Sequence, residues 1–378
     1  MINVSVISVP SIAIVVLLLA FDMQNLIARF KRAVALPDES SSDYTLVVPL
    51  FGDPRILTNL RFLLRHKPHV LLVLNTTNEE MLAFAKRMEA DGWRVHRTCL
   101  PGRPRVSRMW QLGLSAVTTT YAMRVDADTT SRDDPGRAIR ALELSGADYA
   151  SAKVLVNNPR TVVQHLQASE YAMSMQARHF RPWMTSGACI FGRTSALRAV
   201  LAVHTHWWNG EDVEQGIIAK HFRMRIVHVD YNIYTDVPKT AKALFRQRRL
   251  WWAGSVRQTL VNIDQMIWFP AYIFYNLFLV YAALIFRGRM FGASPLEYAV
   301  TLPLMLVFYV AITSIANFKV WSRWFLIFPL YSLVQVTVMP AVGIFEFVRT
   351  AISSRSSGRY LIGWRRESWT PDPVSPTA

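Results

Sequence analysis

Four long runs of apolar residues constrain this chain more than any other feature of its sequence. Each run has about 18 or more residues with almost no charge, which is the length a helix needs to cross a bilayer core of about 30 Å. One soluble core does not require such runs, so the sequence predicts an integral membrane protein. The runs cover residues 4–21, 266–286, 298–318 and 324–348.

Charge on either side of the first run predicts its orientation. No charged residue precedes Asp22, whereas Arg29, Lys31 and Arg32 follow the run. A secretory signal peptide carries its positive charge before the apolar run, so this order favours an uncleaved anchor. We therefore expect residues 1–35 to anchor the chain in the plasma (inner) membrane, with the following domain in the cytoplasm.

Composition excludes one class of partner. The 378 residues carry a net charge of +16, which can indicate nucleic-acid binding. However, the sequence contains no nucleic-acid motif, and its arginines fall largely in loops and beside the apolar runs, where anionic lipids or phosphate ligands account for them. Cys99 and Cys189 are too few for a disulfide framework and lack metal-ligand spacing. We expect membrane lipids, and no nucleic acid, as partners.

Short apolar stretches alternate with helical patterns between the first run and the later ones. Strands and helices alternating at this spacing are typical of an α/β fold, with a mostly parallel sheet covered by helices. Such sheets bind ligands at the carboxyl ends of their strands. The pattern predicts strands at 44–50, 70–75, 93–97 and 121–126 and helices at 54–64 and 78–92.

Two pairs of carboxylates occur where this fold would present ligands. Asp126 and Asp128 follow the fourth predicted strand, where they can hold Mg²⁺ or Mn²⁺ together with substrate phosphates or form an ordinary acidic turn. Glu211 and Asp212 precede a predicted helix. They can cap its N-terminus, or one of them can serve as a general base. The residues alone leave both alternatives open for each pair.

Six motifs occur in a fixed order: VVPLFGD (47–53), DAD (126–128), SGACIFGR (186–193), GEDVEQG (210–216), YTDVPKT (234–240) and QRRLWWAG (247–254). Together they resemble the membrane-bound glycosyltransferases of family 2, the inverting group that includes cellulose, chitin and hyaluronan synthases. The resemblance implies a GT-A (Rossmann-like) fold, a nucleotide-sugar donor such as a UDP-sugar, and Mg²⁺ or Mn²⁺. It also implies a cytoplasmic catalytic domain at 44–254, an interfacial helix with transmembrane segments at 255–350, and a basic tail at 351–378.

The resemblance also implies a role for individual residues. Asp128 would hold the cation on the donor diphosphate, and Asp126 would face the nucleotide. Asp212 would be the general base that takes the proton of the acceptor hydroxyl, and Glu211 would help to place it. Pro49, Asp53 and Asn75 would lie near the nucleotide, Arg248 or Arg249 at the diphosphate, and Ser186, Gly187, Gln247 and Trp251 at the acceptor, with Trp251 stacking on a sugar ring.

One position departs from the family pattern. The family's Q-x-x-R-W box has an arginine directly before the tryptophan, whereas this chain has Leu250 there. Leucine cannot bind phosphate, and charge on the leaving diphosphate needs compensation. We therefore expect Arg248 or Arg249 to contact the diphosphate, because a planar guanidinium suits two phosphate oxygens.

Three functions remain open from the sequence. The first is a synthase that extends a growing saccharide with β-linkages. The second is an enzyme that transfers one sugar to a polyprenyl phosphate or lipid. The third is a carbohydrate- or nucleotide-binding membrane protein without strong catalysis, for which Leu250 is the argument. The number of C-terminal crossings is open too, because charge in the tail favours two and the length of 266–286 favours three.

Overall fold

The computed structural model describes residues 32–102, 105–207, 210–262, 307, 310, 311 and 313–353. The chain forms two compact units. The helical unit includes residues 159–180 and 238–353, and the sheet unit includes residues 33–158 and 181–237.

An eight-stranded sheet forms the centre of the sheet unit. Its strands lie in the order β3-β2-β1-β4-β7-β6-β8-β5. Their bounds are β1 Tyr44–Phe51, β2 Val70–Asn75, β3 Arg94–Thr98, β4 Tyr121–Val125, β5 Thr130–Ser131, β6 Tyr149–Val156, β7 Cys189–Arg193 and β8 Ile226–Thr235.

Nine helices are numbered along the described chain. Helices α5, α8 and α9 belong to the helical unit, and the others belong to the sheet unit. Their bounds are α1 Leu60–Arg65, α2 Glu79–Ala90, α3 Val106–Ser115, α4 Pro135–Ser145, α5 Val162–Ala177, α6 Thr194–Val203, α7 Glu211–His221, α8 Ala241–Val261 and α9 Phe328–Ser353.

The first four strands confirm the predicted α/β fold. They lie where the sequence predicts them and pair in parallel, β3 with β2, β2 with β1 and β1 with β4. Leu46 and Leu72 pack into one apolar core, whereas Val47 and Val73 pack into a second one. Strands buried on both faces have near-continuous apolar sequences. Because these strands are parallel, the carboxyl ends of β1, β2 and β4 meet at one edge of the sheet, called here the carboxyl edge.

The other half of the sheet is mixed, which differs from the mostly parallel sheet that the sequence predicts. Strand β7 pairs antiparallel with both β4 and β6, and β5 pairs antiparallel with β8. The chain already lies at the carboxyl edge before β7 begins, because the Asp126 N–H donates to the Ala188 carbonyl oxygen (3.2 Å). β7 must therefore start at that edge and run back across the sheet.

The helix predicted at 54–64 is split in the structure. A short 3-10 helix covers Pro54–Ile56, and α1 begins at Leu60. Between them, the Thr58 and Asn59 N–H groups donate to the Ala127 carbonyl oxygen (3.0 and 3.3 Å). These bonds hold the chain against the loop after β4, so a continuous helix cannot form there.

In the helical unit, α8 and α9 pack closely against each other. A Cβ atom on Gly343 would lie 2.6 Å from Trp252 Cβ, so only glycine fits at this contact. Helix α8 is continuous from Ala241 to Val261. The domain boundary predicted at residue 254 therefore falls inside a helix.

Within the described part of the chain, no helix has both the length and the apolar character needed to span a membrane. Helix α9, which covers most of the predicted segment 324–348, contains Pro340 and the charged residues Glu346 and Arg349. The predicted segments 4–21 and 266–286, most of 298–318, and the tail beyond residue 353 lie outside the described residues.

Candidate active site

The loop after β4 carries the first pair of predicted site carboxylates. The Thr129 N–H donates to the Asp126 carbonyl oxygen (3.0 Å), and the Thr129 hydroxyl donates to Asp128 Oδ1 (3.3 Å). Burial, together with the charge of Asp126, raises the pKa of Asp128 to about 6. A bound cation would stabilise such a carboxylate, and its oxygens are the ligand type that Mg²⁺ prefers.

Few protein ligands are available for such a cation. Among the described residues, no group of three or more His, Cys, Asp or Glu side chains could hold a metal ion. Mg²⁺ usually takes only one or two protein carboxylates, and water and substrate phosphates complete its coordination. Asp128 is therefore compatible with a divalent cation that the substrate helps to bind.

Asn59 holds the loop after β4 in place. Its Nδ2 donates to the carbonyl oxygens of Asp126 (3.0 Å) and Thr129 (2.7 Å). The residue is buried at the start of α1, yet its side chain does not cap that helix. Sequence reasoning missed this role, because the helix predicted at 54–64 places Asn59 in a helix interior, whereas in the structure it precedes α1.

Arg124, on β4, connects the two pairs of carboxylates. It is 2% exposed, and its guanidinium donates to Asp126 Oδ1 (3.0 Å from Nη2) and to Glu211 Oε1 (3.2 Å from Nη1). Burial alone lowers the pKa of Arg124, but the charges of Asp126 and Glu211 outweigh burial and raise that pKa above its ordinary value. Sequence reasoning missed Arg124, because its position in a predicted strand does not indicate which side chains it contacts.

The second pair lies in the first turn of α7, and its two members have different environments. Glu211 is buried, and its second oxygen accepts a hydrogen bond from the Ser107 N–H (3.1 Å). Asp212 is partly exposed, and its Oδ2 accepts from the Gly187 N–H (2.8 Å). Glu211 is therefore enclosed by protein partners, whereas Asp212 is the member of the pair that a ligand can reach.

A buried histidine and glutamate stabilise the start of α7. His204 Nε2 lies 3.0 Å from the Glu211 carbonyl oxygen and 3.4 Å from Glu214 Oε2. His204 Nδ1 accepts from the His206 N–H (2.9 Å), so Nε2 carries the ring proton and donates. Burial lowers the pKa of His206 to about 3, and the nearby charge of Arg108 adds to the effect. No sequence signal indicated this cluster.

The other predicted residues of the sheet unit occupy different environments. The Ser186 carbonyl oxygen accepts from the Cys189 N–H (3.1 Å), in the same turn as Gly187. Pro49 is buried in β1, and Asp53 caps the 3-10 helix that follows β1. The buried Asn75 accepts from the Leu100 N–H (2.8 Å) and donates to the Leu100 carbonyl oxygen (3.1 Å). Nucleotide contacts of these residues remain predictions.

The predicted box residues lie on α8 in the helical unit. Arg248 is buried, and its Nη2 lies 2.6 Å from Glu170 Oε2, which also accepts from the Tyr331 hydroxyl (2.5 Å). The Arg248 guanidinium lies 4.3 Å from the ring centre of Trp251, which is 43% exposed. Glu170 thus already neutralises Arg248.

Arg249 and Gln247 differ from Arg248 in their environment. Arg249 Nε lies 3.4 Å from Oε2 of the buried Glu346, and the Arg249 side chain is partly exposed. Gln247 Oε1 is buried and has no hydrogen-bond partner among the described residues. Arg249 is therefore more accessible to a ligand than Arg248, and a diphosphate contact by either arginine remains a prediction.

We expect Arg248→Ala to lower the stability of the protein. Removing one partner of a buried ion pair leaves the other without compensation, which costs about 3 kcal/mol and lowers the Tm by about 4 °C. The matched control is Arg246→Ala, because Arg246 is an exposed arginine on the same helix. Thermal unfolding of both variants checks this, and equal Tm values would contradict a stabilising role of the Glu170 pair.

The family profile described as Glycosyl transferase family group 2 matches residues 123–334, which is more than half of the chain. The chain belongs to this family. The match includes both carboxylate pairs, Arg124 and the α8 box, whereas Pro49, Asp53 and Asn75 lie before it. Membership confirms that the protein is a family 2 glycosyltransferase, as its motifs predict.

One solved structure shows the same type of fold as this family 2 chain. A mannosyltransferase from Pyrobaculum calidifontis, in complex with GDP-Man and Mn²⁺, matches with a TM-score of 0.57 and 13% identity, covering 87% of this chain and 94% of that chain. S. aureus TarS matches with a TM-score of 0.39 and 14% identity, covering 82% and 55%. The first match shows a shared fold only, and the second supports no conclusion. No curated protein matches the sequence.

Proposed function

We propose that this protein is an inverting, cation-dependent glycosyltransferase that moves a sugar from a nucleotide sugar to a growing saccharide. The proposed donor is a UDP-sugar. One observation carries the proposal. Asp128 and Asp212 are both accessible carboxylates, and the buried Arg124 links the two segments that bear them. A carboxylate for a cation and a carboxylate for a proton are the two groups that this reaction needs.

The proposed reaction is a single displacement at the anomeric carbon. The acceptor hydroxyl transfers its proton to Asp212, whose orientation is held by the Gly187 N–H. The hydroxyl oxygen bonds to the anomeric carbon while the bond to the diphosphate breaks. A divalent cation at Asp128 would offset the charge that develops on the diphosphate. An α-linked donor then gives a β-linked product.

Release of nucleoside diphosphate tests the proposal. The full chain is mixed with UDP-glucose, UDP-N-acetylglucosamine, UDP-glucuronate or GDP-mannose, with Mg²⁺ or Mn²⁺, and free UDP or GDP is measured. We expect release from at least one donor that depends on the cation. Binding of a donor without release under every condition would favour the alternative of a catalytically weak binding protein.

The acceptor is a saccharide in this proposal, and a polyprenyl phosphate or lipid is the alternative. The exposed ring of Trp251 supports a saccharide, because a partly apolar sugar face can pack on an aromatic surface. Product length separates the two: a synthase gives chains of many sugars, whereas a single-transfer enzyme gives one sugar on a lipid.

We expect Trp251→Ala to affect acceptor use more than donor use. Loss of one aromatic stacking contact raises the acceptor KM by about 10-fold, and the donor KM stays near its original value. Phe245→Ala is the matched control, because Phe245 is another exposed aromatic residue of α8. Steady-state kinetics with each substrate varied in turn checks this. Equal effects of the two variants would contradict a role of Trp251 in acceptor binding.

We also propose that the protein acts at the cytoplasmic face of the plasma (inner) membrane and contacts lipid through α9. Exposed apolar residues recur along this helix at intervals of four or seven, so they lie on one face. Lys319 and Arg323 precede the helix and suit anionic headgroups. The residues of this apolar face are Leu330, Val334, Val338, Phe345 and Ile352.

Lipid quenching tests the membrane contact in the full chain. The exposed Cys99 is first replaced by serine, and a fluorophore is attached at Phe345→Cys or, as control, at Ile56→Cys, an exposed site of the sheet unit. After reconstitution into anionic vesicles, we expect lipids brominated on their acyl chains to quench the probe at 345 and not the probe at 56. Equal quenching at both positions would contradict the contact.

A further inference from the structure

Arg124 forms ion pairs with only two of the four carboxylates of the candidate site, which are Asp126, Asp128, Glu211 and Asp212. Its ion pairs among the described residues are with Asp126 (3.0 Å) and Glu211 (3.2 Å). Both Asp126 contacts, from Nη2 and Nε, end on the same oxygen, Oδ1. Asp128 and Asp212 have no ion pair with Arg124 in this part of the chain. The arginine thus pairs with one member of each carboxylate pair.

The surroundings of Arg124 fix it in this position. Its side chain is 3% exposed. A Cβ atom on Gly187 would lie 3.3 Å from Arg124 Nη2 and 3.7 Å from Asp212 Oδ2, so the backbone around Gly187 packs directly against both groups. Glu211 is held on its other side by the Ser107 N–H (3.1 Å). The guanidinium therefore has little freedom to reach a substrate.

We propose that Arg124 is a positioning residue that holds Asp126 and Glu211 in ion pairs and offsets part of their charge, while Asp128 and Asp212, with which it forms no ion pair, serve the cation and the acceptor. This inference rests on the proposed glycosyltransferase function, which gives Asp128 and Asp212 their tasks. Arginine suits this role because it stays charged and its planar guanidinium can donate hydrogen bonds to two carboxylates at once. A lysine at this position would supply the charge but not the planar geometry that holds both carboxylates.

The proposal predicts an unusual effect on cation binding. Loss of the Arg124 charge leaves Asp126 uncompensated close to Asp128, and one extra negative charge at short range strengthens binding of a divalent cation by about 10-fold. We therefore expect Arg124→Gln to bind Mn²⁺ about 10-fold more tightly without donor, while turnover falls by about 10-fold or more because the carboxylates lose their arrangement. A purely structural arginine would leave the Mn²⁺ affinity unchanged or weaken it.

Titration calorimetry of the purified full chain with Mn²⁺ alone tests this. Arg124→Lys is expected to keep the original affinity, because it keeps the charge. Arg124→Gln combined with Asp126→Asn is expected to return the affinity to within about 3-fold of the original, because the charge and its counter-charge leave together. Arg198→Gln is the control, since Arg198 donates to backbone oxygens at Leu114 and Val117, at the end of α3. Its Mn²⁺ affinity is expected to stay unchanged.

Unchanged or weaker Mn²⁺ binding by a folded Arg124→Gln variant would overturn the proposal. If that variant does not fold, the double variant decides: original affinity supports the proposal, and a loss of about 10-fold or more overturns it by making Asp126 a ligand. A chain that binds Mn²⁺ in the expected pattern but releases no nucleotide would contradict the proposed function alone. A chain that releases nucleotide, but whose Arg124 variants do not show the expected changes in Mn²⁺ affinity, would contradict only the proposed role of Arg124.

Discussion

Asp212→Asn is expected to lower turnover by about 100-fold or more, because a positioned base that takes the acceptor proton contributes at least this factor. Donor binding should change little. An asparagine keeps the size of the side chain and can still accept from the Gly187 N–H, which is 2.8 Å from Asp212 Oδ2. The measurements are turnover at saturating substrates and the Kd of the donor, determined separately.

The control for this change is Asp230→Asn. Asp230 is an exposed carboxylate on β8 that pairs with Lys153 (3.3 Å), so its loss removes one charge outside the candidate site. We expect this variant to turn over normally. If Asp212→Asn instead lowers turnover, donor binding and Tm together, Asp212 stabilises the start of α7 as a helix cap, and the base assignment is wrong.

Asp128→Asn is expected to abolish cation-dependent turnover and to weaken donor binding in the presence of Mg²⁺ or Mn²⁺. The amide offers the cation an oxygen but no charge, and a loss of about 100-fold or more follows from the missing compensation of the diphosphate. Donor binding measured without any cation should change little, which separates a cation ligand from a residue that contacts the nucleotide.

The raised pKa of Asp128 adds a test by pH. Burial and the charge of Asp126 place this pKa at about 6, so protons compete with the cation increasingly as the pH falls below that value. We expect Mn²⁺ affinity to fall between about pH 7 and pH 5 in the original chain. In Asp128→Asn this dependence should disappear. Normal turnover of Asp128→Asn at saturating Mg²⁺ or Mn²⁺ would contradict the assignment.

The strands that bear the site could be predicted from the sequence because they are buried on both faces. β1, β2 and β4 have mostly apolar sequences, and the parallel order places their carboxyl ends together. The position of Asp126 and Asp128 at this edge follows from the same pattern. The antiparallel direction of β7 could not be predicted, because it depends on the path of the chain through residues distant in sequence.

The residues that hold the site were not predictable for the same reason. Arg124 and Glu211 are 87 positions apart, and Asn59 and Thr129 are 70 apart. The sequence around Arg124 indicates only a strand, and the sequence around Glu211 indicates only a helix cap. In the same way, the burial of Arg248 against Glu170 cannot be read from the QRRLW stretch alone, although its composition suggests a phosphate contact. Polar networks in a core depend on tertiary structure more than on local pattern.

The anomeric configuration of the product tests whether the reaction is a single displacement with Asp212 as base. A single displacement with Asp212 as base inverts the anomeric carbon, so an α-linked donor must give a β-linked sugar. NMR of the product formed from an accepted donor reports this through the one-bond coupling constant between the anomeric carbon and its proton. We expect a β-linkage from the original chain and from Asp230→Asn, and an α-linkage would contradict the single displacement.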